Sequence, residues 1–382
     1  MKIVILTLPF HINYGGVLQA YALQKVLKDM GHDVYIADLP ISKEPYKKLR
    51  RFVGRIVRKY LFRKKNITRI YIDLTERQKE IVHKNFLQFI NRNLKLTEKV
   101  TQQTIFKSLS KQQYDAYIVG SDQVWRPKYT SNISLFFLDF LVNTSNIKKI
   151  AYAASFGTDE WEYTVKETTI VSELAHKFNT ISVREKSGIQ LCKDKLGVDA
   201  EQMPDPTLLL TKEDYIELCN FEHSHQVNNR QITVVLLDHS IEKKKLIDKI
   251  EHKLQIPVVY TLPESKFAEN KLNTLEELTF PSVGQWIKGF LDAEFVITDS
   301  FHGTVFAILF NKPFITFGNA SRGMARFNSL LSLFELQDRL LLSTEEFDFE
   351  RLTQPLNHAQ IEAALTNERK KARSFLMNAL QT

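Results

Sequence analysis

The sequence predicts an α/β protein made of two Rossmann-like domains that face a cleft, followed by a long C-terminal helix. Three observations predict this fold. Short β-branched runs alternate with helical patterns in both halves of the chain. The length of 382 residues suits about two domains. A proline-rich segment, Met203–Pro206, separates the two alternating series.

The first half begins with a strand, a turn, a helix and a second strand. Ile3–Leu6 is a β-branched run of the length of a buried parallel strand. We interpret Asn13–Gly16 as a turn, 17–30 as a helix and Val34–Ala37 as the next strand. Such a unit opens a doubly wound sheet. A polar helix is predicted at 75–92, and further strands at 116–119, 150–153 and 180–183.

The segment Met203–Pro206 is interpreted as a linker, because two prolines two positions apart fit neither a helix interior nor a central strand. The predicted domains are therefore 1–203, with a basic helical insertion at about 43–95, and 204–356, with a C-terminal helix at 357–382. In the second domain, strands are predicted at 232–237, 257–260, 295–298 and 313–317, and helices at 242–254, 283–291 and 304–310.

The net charge of +8 is concentrated in one segment. Between Lys43 and Arg69 there are twelve Lys or Arg and one acidic residue, Glu44. Apolar residues recur there at intervals of three and four, which predicts an amphipathic helix. The apolar stripe either packs on the body of the protein or lies on an anionic membrane surface. A nucleic-acid partner is not expected, because the aromatic residues fall on the apolar stripe and not among the charges.

Other features of the composition favour a cytoplasmic protein. Two cysteines, Cys192 and Cys219, cannot build a disulfide framework or a zinc site. No apolar run reaches the ~18 residues that a transmembrane helix needs. The run at 3–10 lacks a cleavage site and is interpreted as a strand and not as a signal peptide. No histidine has the spacing of a metal ligand, so no metal is expected.

Four loops that follow predicted strands could carry chemistry, since ligands of such sheets bind beyond the carboxyl ends of the strands. The first contains Asn13, Tyr14, Gly15 and Gly16 and enters a helix. Either the glycines let backbone amides approach an anion, or they serve a tight turn. The spacing matches neither a Walker loop nor a dinucleotide fingerprint.

The second loop runs from Gly120 to Trp125. Asp122 either caps a helix or faces the cleft and orients a sugar hydroxyl, with Trp125 as a stacking face. The third loop contains Arg184 and Glu185. An Arg at the end of a buried strand needs a partner for its charge, which is either Glu185 in a surface ion pair or a bound phosphate or carboxylate.

The fourth loop, Asp299–Thr304, is the most informative. Asp299 or Ser300 can be the N-cap, which places His302 in the first helical turn beside unpaired amides. Such a site binds an anion, and a bound phosphate would favour the protonated imidazole, a proton donor. The alternative is a histidine that packs against the domain wall. A Ser300–His302 nucleophile–base pair is excluded, because residues two apart point in different directions.

These motifs together resemble the polysaccharide pyruvyl transferase family. The resemblance covers roughly residues 1–335 and rests on five motifs in order. They are Asn13–Gly16, Gly120–Trp125, Ser182–Glu185, Pro204–Thr207 and Thr298–Gly303. It implies a GT-B-like fold, phosphoenolpyruvate as donor, and a glycan or lipid-linked oligosaccharide of the bacterial surface as acceptor. It implies no cofactor beyond phosphoenolpyruvate as co-substrate.

Position by position, the resemblance places the motif histidine on His302 and the motif arginine on Arg184. Ser300 stands where other branches of the family carry an Arg, so another cation must make that contact. Arg322 and Arg326 are the nearest candidates and Arg126 a third. We assign His302 as general acid, Asp122 as the residue that positions or deprotonates the acceptor, Arg184 as anion clamp and Gly303 as a backbone contact.

Two other functions fit the same pattern. A GT-B glycosyltransferase that uses a nucleotide sugar would also have a two-domain cleft with anion-binding loops. A glycan-binding homologue that has lost catalysis would be consistent with Ser300 in place of the family Arg. Stabilisation by phosphoenolpyruvate or by a nucleoside diphosphate distinguishes the two enzymes.

Overall fold

The fold was analysed in a computed structural model. The structure describes residues 1–10, 12–40, 76–100, 109, 114–142, 144, 146–220, 230–263, 274–319 and 323–381. The predicted basic amphipathic helix lies outside the described residues.

The first sheet has six parallel strands in the order β2-β1-β3-β4-β5-β6. The central strands are completely buried, which explains their continuous runs of Val, Ile, Ala and Tyr. The strands are β1 (Lys2–Leu6), β2 (Asp33–Ile36), β3 (Ala116–Val119), β4 (Lys148–Ala154), β5 (Thr180–Val183) and β6 (Glu201–Gln202).

The second sheet has five parallel strands in the order β11-β10-β9-β7-β8. In both sheets the first strand lies between the second and the third, so the winding direction reverses at β1/β3 and at β7/β9. Ligands of doubly wound sheets bind at such reversals. The strands are β7 (Gln231–Val235), β8 (Val258–Tyr260), β9 (Ala293–Thr298), β10 (Phe314–Phe317) and β11 (Leu340–Leu341).

Helices cover both sheets. Those before β7 are α1 (Tyr14–Asp29), α2 (Glu76–Asn93), α3 (Val165–Ala175), α4 (Lys186–Leu191) and α5 (Lys212–Asn220). Those after β7 are α6 (Ile241–Leu254), α7 (Leu275–Leu278), α8 (Val283–Asp292), α9 (Phe301–Leu309), α10 (Ala325–Leu333), α11 (Phe349–Leu352) and α12 (His358–Gln381). None of these helices is both long and apolar enough to span a membrane, among the residues that the structure describes.

The C-terminal helix α12 packs on the first sheet and on the segment that follows it. Arg369 donates to the carbonyls of Leu208 and Leu210, each at 3.0 Å. The ring centres of Phe375 and of Tyr152 in β4 are 6.1 Å apart. The buried residues of α12 share one apolar cluster with α1, α8 and α9. One core therefore joins helices of both sheets, which holds the loops at the two reversals face to face.

Two boundaries differ from the prediction. Helix α1 begins at Tyr14, so Gly15 and Gly16 belong to its first turn and not to a preceding turn. Met203–Pro206 is buried and leads into a 3₁₀ helix at Pro206–Leu209, so its prolines end a strand inside the core and do not form an exposed linker.

Candidate active site

A cavity of about 330 Å³ lies where the two winding reversals meet. The loops after β1, β3, β7 and β9 all contribute to its wall, as the topology requires. The predicted site residues on the wall are Asn13, Tyr14, Gly15, Asp122, Ser300, His302 and Arg326. Among the described residues, Gly16, Trp125, Arg184 and Gly303 do not line it. Arg322 lies outside the described residues.

His302 occupies the first turn of α9. Ser300 is the N-cap, since its Oγ accepts the Gly303 amide at 3.4 Å. The Gly303 amide is thereby used in the cap, and Gly303 does not line the cavity. A Cβ on Gly303 would lie 2.2 Å from Oγ1 of Thr298, so this glycine allows the helix to pack on the end of β9. The cap fixes the direction of the first turn, and His302 enters the cavity wall from there.

The N-terminus of α1 meets the N-terminus of α9 at this point. Gly15 lies against the His302 imidazole, and neither helix has an acidic residue in its first turn. Asn13 is the N-cap of α1 but makes no side-chain cap hydrogen bond, and it is exposed. Two positive helix ends therefore point at one cavity, which is an environment that attracts anions.

Tyr14 fixes the position of the α1 N-terminus. Its hydroxyl donates to the carbonyl of Pro281 at 2.7 Å, and its ring stacks on Trp286 at 5.0 Å. Burial raises the pKa of Tyr14 above its ordinary value. The Tyr14 hydroxyl is thus a structural donor that links α1 to the segment before α8.

Asp122 stands beside the cavity in an unusual backbone conformation. Its φ is 64°, in the left-handed region that few residues other than Gly adopt. Its carbonyl accepts the amides of Val124 and Ser155, which hold the loop. No helix begins there, so the interpretation of Asp122 as a helix cap is wrong. Strained backbone of this kind clusters at functional sites.

Asp205 is a central residue of the site that the sequence analysis assigned to a linker. Its carboxylate is completely buried and accepts from Arg184 Nη1 at 2.6 Å and from Thr207 N and Oγ1 at 3.0 and 2.7 Å. His302 Nε2 lies 3.4 Å from Oδ2. Burial alone would raise the pKa of Asp205, but His302, Arg184 and Thr207 hold this pKa well below its usual range. The Asp-Pro pattern, an Asx-type turn, was the available signal.

Arg184 lies behind the cavity. It pairs with Asp205, and its Nη2 is 3.7 Å from Asp122 Oδ1. Its guanidinium carbon is 4.5 Å from the centre of the Phe301 ring. A small space of about 20 Å³ adjoins it, and the larger cavity does not reach it. Its predicted role as a direct anion clamp is therefore not supported, because Asp205 already neutralises its charge.

Arg326 provides a cation on the wall of the cavity. It lies in the first turns of α10, 7% exposed, with its guanidinium carbon 5.5 Å from the Phe301 ring. Burial, and after it the nearby charge of Arg184, lower the pKa of Arg326 to about 10. Of the three arginines predicted to replace the family Arg at Ser300, Arg326 lines the cavity and Arg126 does not, while Arg322 lies outside the described residues.

Three predicted contacts are wrong. Trp125 is completely buried, stacks on Phe137 at 4.8 Å and donates Nε1–H to the Phe136 carbonyl, so it offers no face to a sugar. Glu185 is not a surface partner of Arg184, because it is buried and accepts from Ser155 Oγ and the Gly157 amide. Arg126 forms a two-point pair with Glu162, so it does not serve the cavity.

Asp299 lines the cavity, and its carboxylate holds two of the surrounding loops together. It accepts the amides of Leu237 and Asp238 at 2.6 and 3.0 Å, and Lys243 Nζ at 2.8 Å. These bonds tie the loop after β7 to the loop after β9. Within the described ranges, no group of three His, Cys, Asp or Glu side chains could hold a metal ion.

The fold is that of a GT-B-like α/β protein with a cavity, lined by His302 and Arg326, at the reversal points of its two sheets. Residues 13–321 match the family model of the polysaccharide pyruvyl transferases. The chain belongs to that family. No curated protein matches it.

Solved structures share the fold over the whole chain. UGT89C1 of Arabidopsis thaliana, complexed with UDP-L-rhamnose, aligns with a TM-score of 0.51 and 10% identity over 99% of this chain and 98% of that one. UDP-GlcNAc 2-epimerase of Methanocaldococcus jannaschii aligns with a TM-score of 0.49 and 14% identity over 100% and 99%. At these identities the likeness concerns the fold alone.

Proposed function

We propose that this protein transfers pyruvate from phosphoenolpyruvate to a pair of hydroxyl groups on a glycan sugar, which forms a pyruvyl ketal and releases phosphate. The family supplies the reaction class. The choice of donor is supported by the chemistry of the cavity wall. The acceptor class, a free or lipid-linked surface glycan, follows from the family and belongs to the same proposal.

The observation that carries the proposal is the placement of His302 and Arg326 on one wall, beside the uncapped N-terminus of α1. Phosphoenolpyruvate brings a phosphate and a carboxylate. A guanidinium and helix amides are the donors that hold such groups. The wall therefore favours an anionic donor that also needs a proton.

The chemistry divides among three side chains. Arg326 and the first turn of α1 hold the phosphate. His302 protonates the methylene carbon of the donor, and the resulting oxocarbenium-like centre is attacked by the first sugar hydroxyl, whose proton Asp122 accepts. The second hydroxyl then displaces phosphate from the same carbon and closes the ring. One hydroxyl proton balances the proton spent by His302, and the other leaves with phosphate.

Arg184 has an indirect role in this proposal. It pairs with Asp205 and reaches toward Asp122, so one positive charge lies between two carboxylates. A positively charged residue in that position also keeps a negative Asp205 from repelling the donor. Arg184 therefore prepares the charges of the site and does not hold the donor itself.

The test is incubation of the purified protein with phosphoenolpyruvate and a panel of free and lipid-linked surface glycans. The proposal expects phosphate release that depends on the acceptor, and an acceptor mass increase equal to pyruvate less water. Phosphate release without any change in acceptor mass would contradict ketal formation.

A glycosyltransferase that uses a nucleotide sugar is the alternative function, because the GT-B-like fold also suits that donor. Thermal unfolding in the presence of each donor distinguishes the two functions, because a ligand that binds only the folded state raises the midpoint. Stabilisation by phosphoenolpyruvate and not by UDP or TDP supports the proposal, and the reverse result contradicts it. Acceptor binding with no turnover of either donor would indicate a glycan-binding homologue.

A further inference from the structure

The contact between Asp205 and His302 determines which imidazole nitrogen can transfer a proton. We propose that Asp205 is a positioning residue that holds His302 in the Nε2–H form, so that Nδ1 is the atom that gives its proton to the donor. This inference rests on the proposed function for its chemical meaning, since His302 is the acid only there. The orientation itself can be measured without any substrate.

The two oxygens of Asp205 have different partners. Oδ1 accepts from Thr207 N and Oγ1. Oδ2 accepts from Arg184 Nη1 and faces His302 Nε2 at 3.4 Å. Nε2 has no hydrogen bond within normal limits among the described residues. At 3.4 Å the contact is long, and such catalytic contacts commonly tighten when substrate binds.

The charge of Asp205 decides which partner carries the hydrogen. Arg184 and two donors from Thr207 favour the ionised carboxylate, and the pKa of Asp205 lies well below its usual range. An ionised carboxylate can only accept hydrogen bonds. The neighbouring Nε2 must therefore carry a hydrogen in both the neutral and the protonated imidazole.

The other ring nitrogen, Nδ1, lies against the backbone of Gly15 and, unlike Nε2, is not fully enclosed. Nδ1 is the ring atom nearest to the position that a Gly15 Cβ would take, and both Gly15 and His302 line the cavity. In the proposed reaction the imidazolium gives its Nδ1 proton to the methylene carbon. The bond between Nδ1 and that proton breaks, a C–H bond forms, and a neutral Nε2–H imidazole remains. The ionised Asp205 carboxylate faces Nε2–H in both states.

Nitrogen-15 NMR of histidine-labelled protein tests the inference. His302 is assigned by comparison with His302→Gln, and its neutral form is expected to show Nε2–H. In Asp205→Asn the two Thr207 donors favour the carbonyl oxygen at the Oδ1 position, which places the amide NH₂ at the Oδ2 position, where it faces Nε2. The neutral form should then change to Nδ1–H. With the proton on the wrong nitrogen, kcat should fall on the order of 10³–10⁴-fold, while KM for phosphoenolpyruvate changes less than tenfold.

Thr207→Val provides the matched control. It removes the Oγ1 bond to Oδ1 but leaves the ionised Oδ2 facing His302, so the neutral imidazole should keep Nε2–H. A wild-type spectrum with Nδ1–H would overturn the inference even if phosphoenolpyruvate is turned over. If Asp205→Asn does not fold, the wild-type spectrum alone still shows which nitrogen of His302 carries the hydrogen. Nε2–H without any turnover of phosphoenolpyruvate would support the orientation and refute the proposed function.

Discussion

The imidazole of His302 lies so close to the backbone of Gly15 that a Cβ on Gly15 would stand 1.9 Å from Nδ1. The two residues belong to the first turns of α1 and α9, which follow the central strands of different sheets. Gly15 has no positive φ. Its lack of a side chain serves the close approach of the two helices at the Nδ1 edge of His302.

Gly15→Ala should therefore displace the His302 ring. The added methyl group cannot fit, and overpacking of this kind costs about 1–3 kcal/mol of folding stability. A displacement of about 1 Å at a reacting group lowers turnover by about 10²-fold. Steady-state kinetics with phosphoenolpyruvate, together with urea unfolding, measures both effects.

Gly16→Ala is the control for this prediction. Its Cβ would lie 3.1 Å from Nδ2 of Asn13, an exposed side chain that can move. Alanine within a helix is favoured over glycine by about 1 kcal/mol, so stability should hold or rise slightly. Equal losses of turnover in the two variants would mean that the contact with His302 is not the cause.

Binding of phosphoenolpyruvate should weaken at high pH, where Arg326 loses its charge. Its pKa is lowered to about 10 by burial and by Arg184, so its charge is present at neutral pH and lost as the pH rises through about 10. KM for phosphoenolpyruvate should rise over the same interval. In Arg326→Lys the same environment acts on a group with an ordinary pKa of about 10.4, so KM should begin to rise nearer neutrality.

Arg326→Met completes the series, because it removes the charge at every pH. Its KM should be raised tenfold or more and should not depend on pH in this range. If the three proteins have the same dependence of KM on pH, Arg326 does not hold the donor.

Asp205 should contribute stability at neutral pH that disappears in acid. Its folded pKa is below the unfolded value of about 3.9, so the contribution is complete above that value and is lost as the pH falls toward the folded pKa. Asp205→Asn leaves a buried Arg184 without its charged partner, which costs about 3–5 kcal/mol. Urea unfolding at pH 7 and at pH 3.5 should show a smaller difference between variant and wild type at the lower pH. An equal difference at both would contradict this linkage.

The basic segment leads to a prediction about membranes. We propose that Lys43–Arg69 binds anionic lipid, because each Lys or Arg near such a surface contributes about 1 kcal/mol. Co-sedimentation with vesicles of phosphatidylcholine, with and without phosphatidylglycerol, measures it. Binding should require the anionic lipid and be lost when Arg50, Arg51, Arg55 and Arg58 are changed to Glu. Binding that depends neither on the anionic lipid nor on these four substitutions would contradict the proposed membrane contact.

The sequence predicted much of the fold because buried parallel strands have short β-branched runs and the helices between them have clear periodicity. The α/β class, the GT-B-like architecture and the C-terminal helix are confirmed. The start of α1 was placed three residues late, because two glycines resemble a turn even when they lie inside a helix. The loop containing His302 was located correctly, because Ser300 is a strong capping residue.

The partners of the site could not be read from the sequence. The sequence offers Glu185 or a bound anion as the partner of Arg184, because Asp205, the actual partner, lies 21 positions away in a segment that resembles a linker. Trp125 looked like a stacking platform because the sequence does not show that Phe137 covers it. In each case the missing information was a contact between distant parts of the chain, which depends on the packing of the whole core.

The most direct measurement of the central claim compares wild type with His302→Ala in a phosphoenolpyruvate assay that records both phosphate release and ketal formation. His176→Ala, at an exposed histidine on the surface after α3, is the control. The account predicts that His302→Ala loses about 10²–10⁴-fold in turnover while it keeps the wild-type circular dichroism spectrum, and that His176→Ala is unchanged. Near wild-type ketal formation by a folded His302→Ala protein would contradict it.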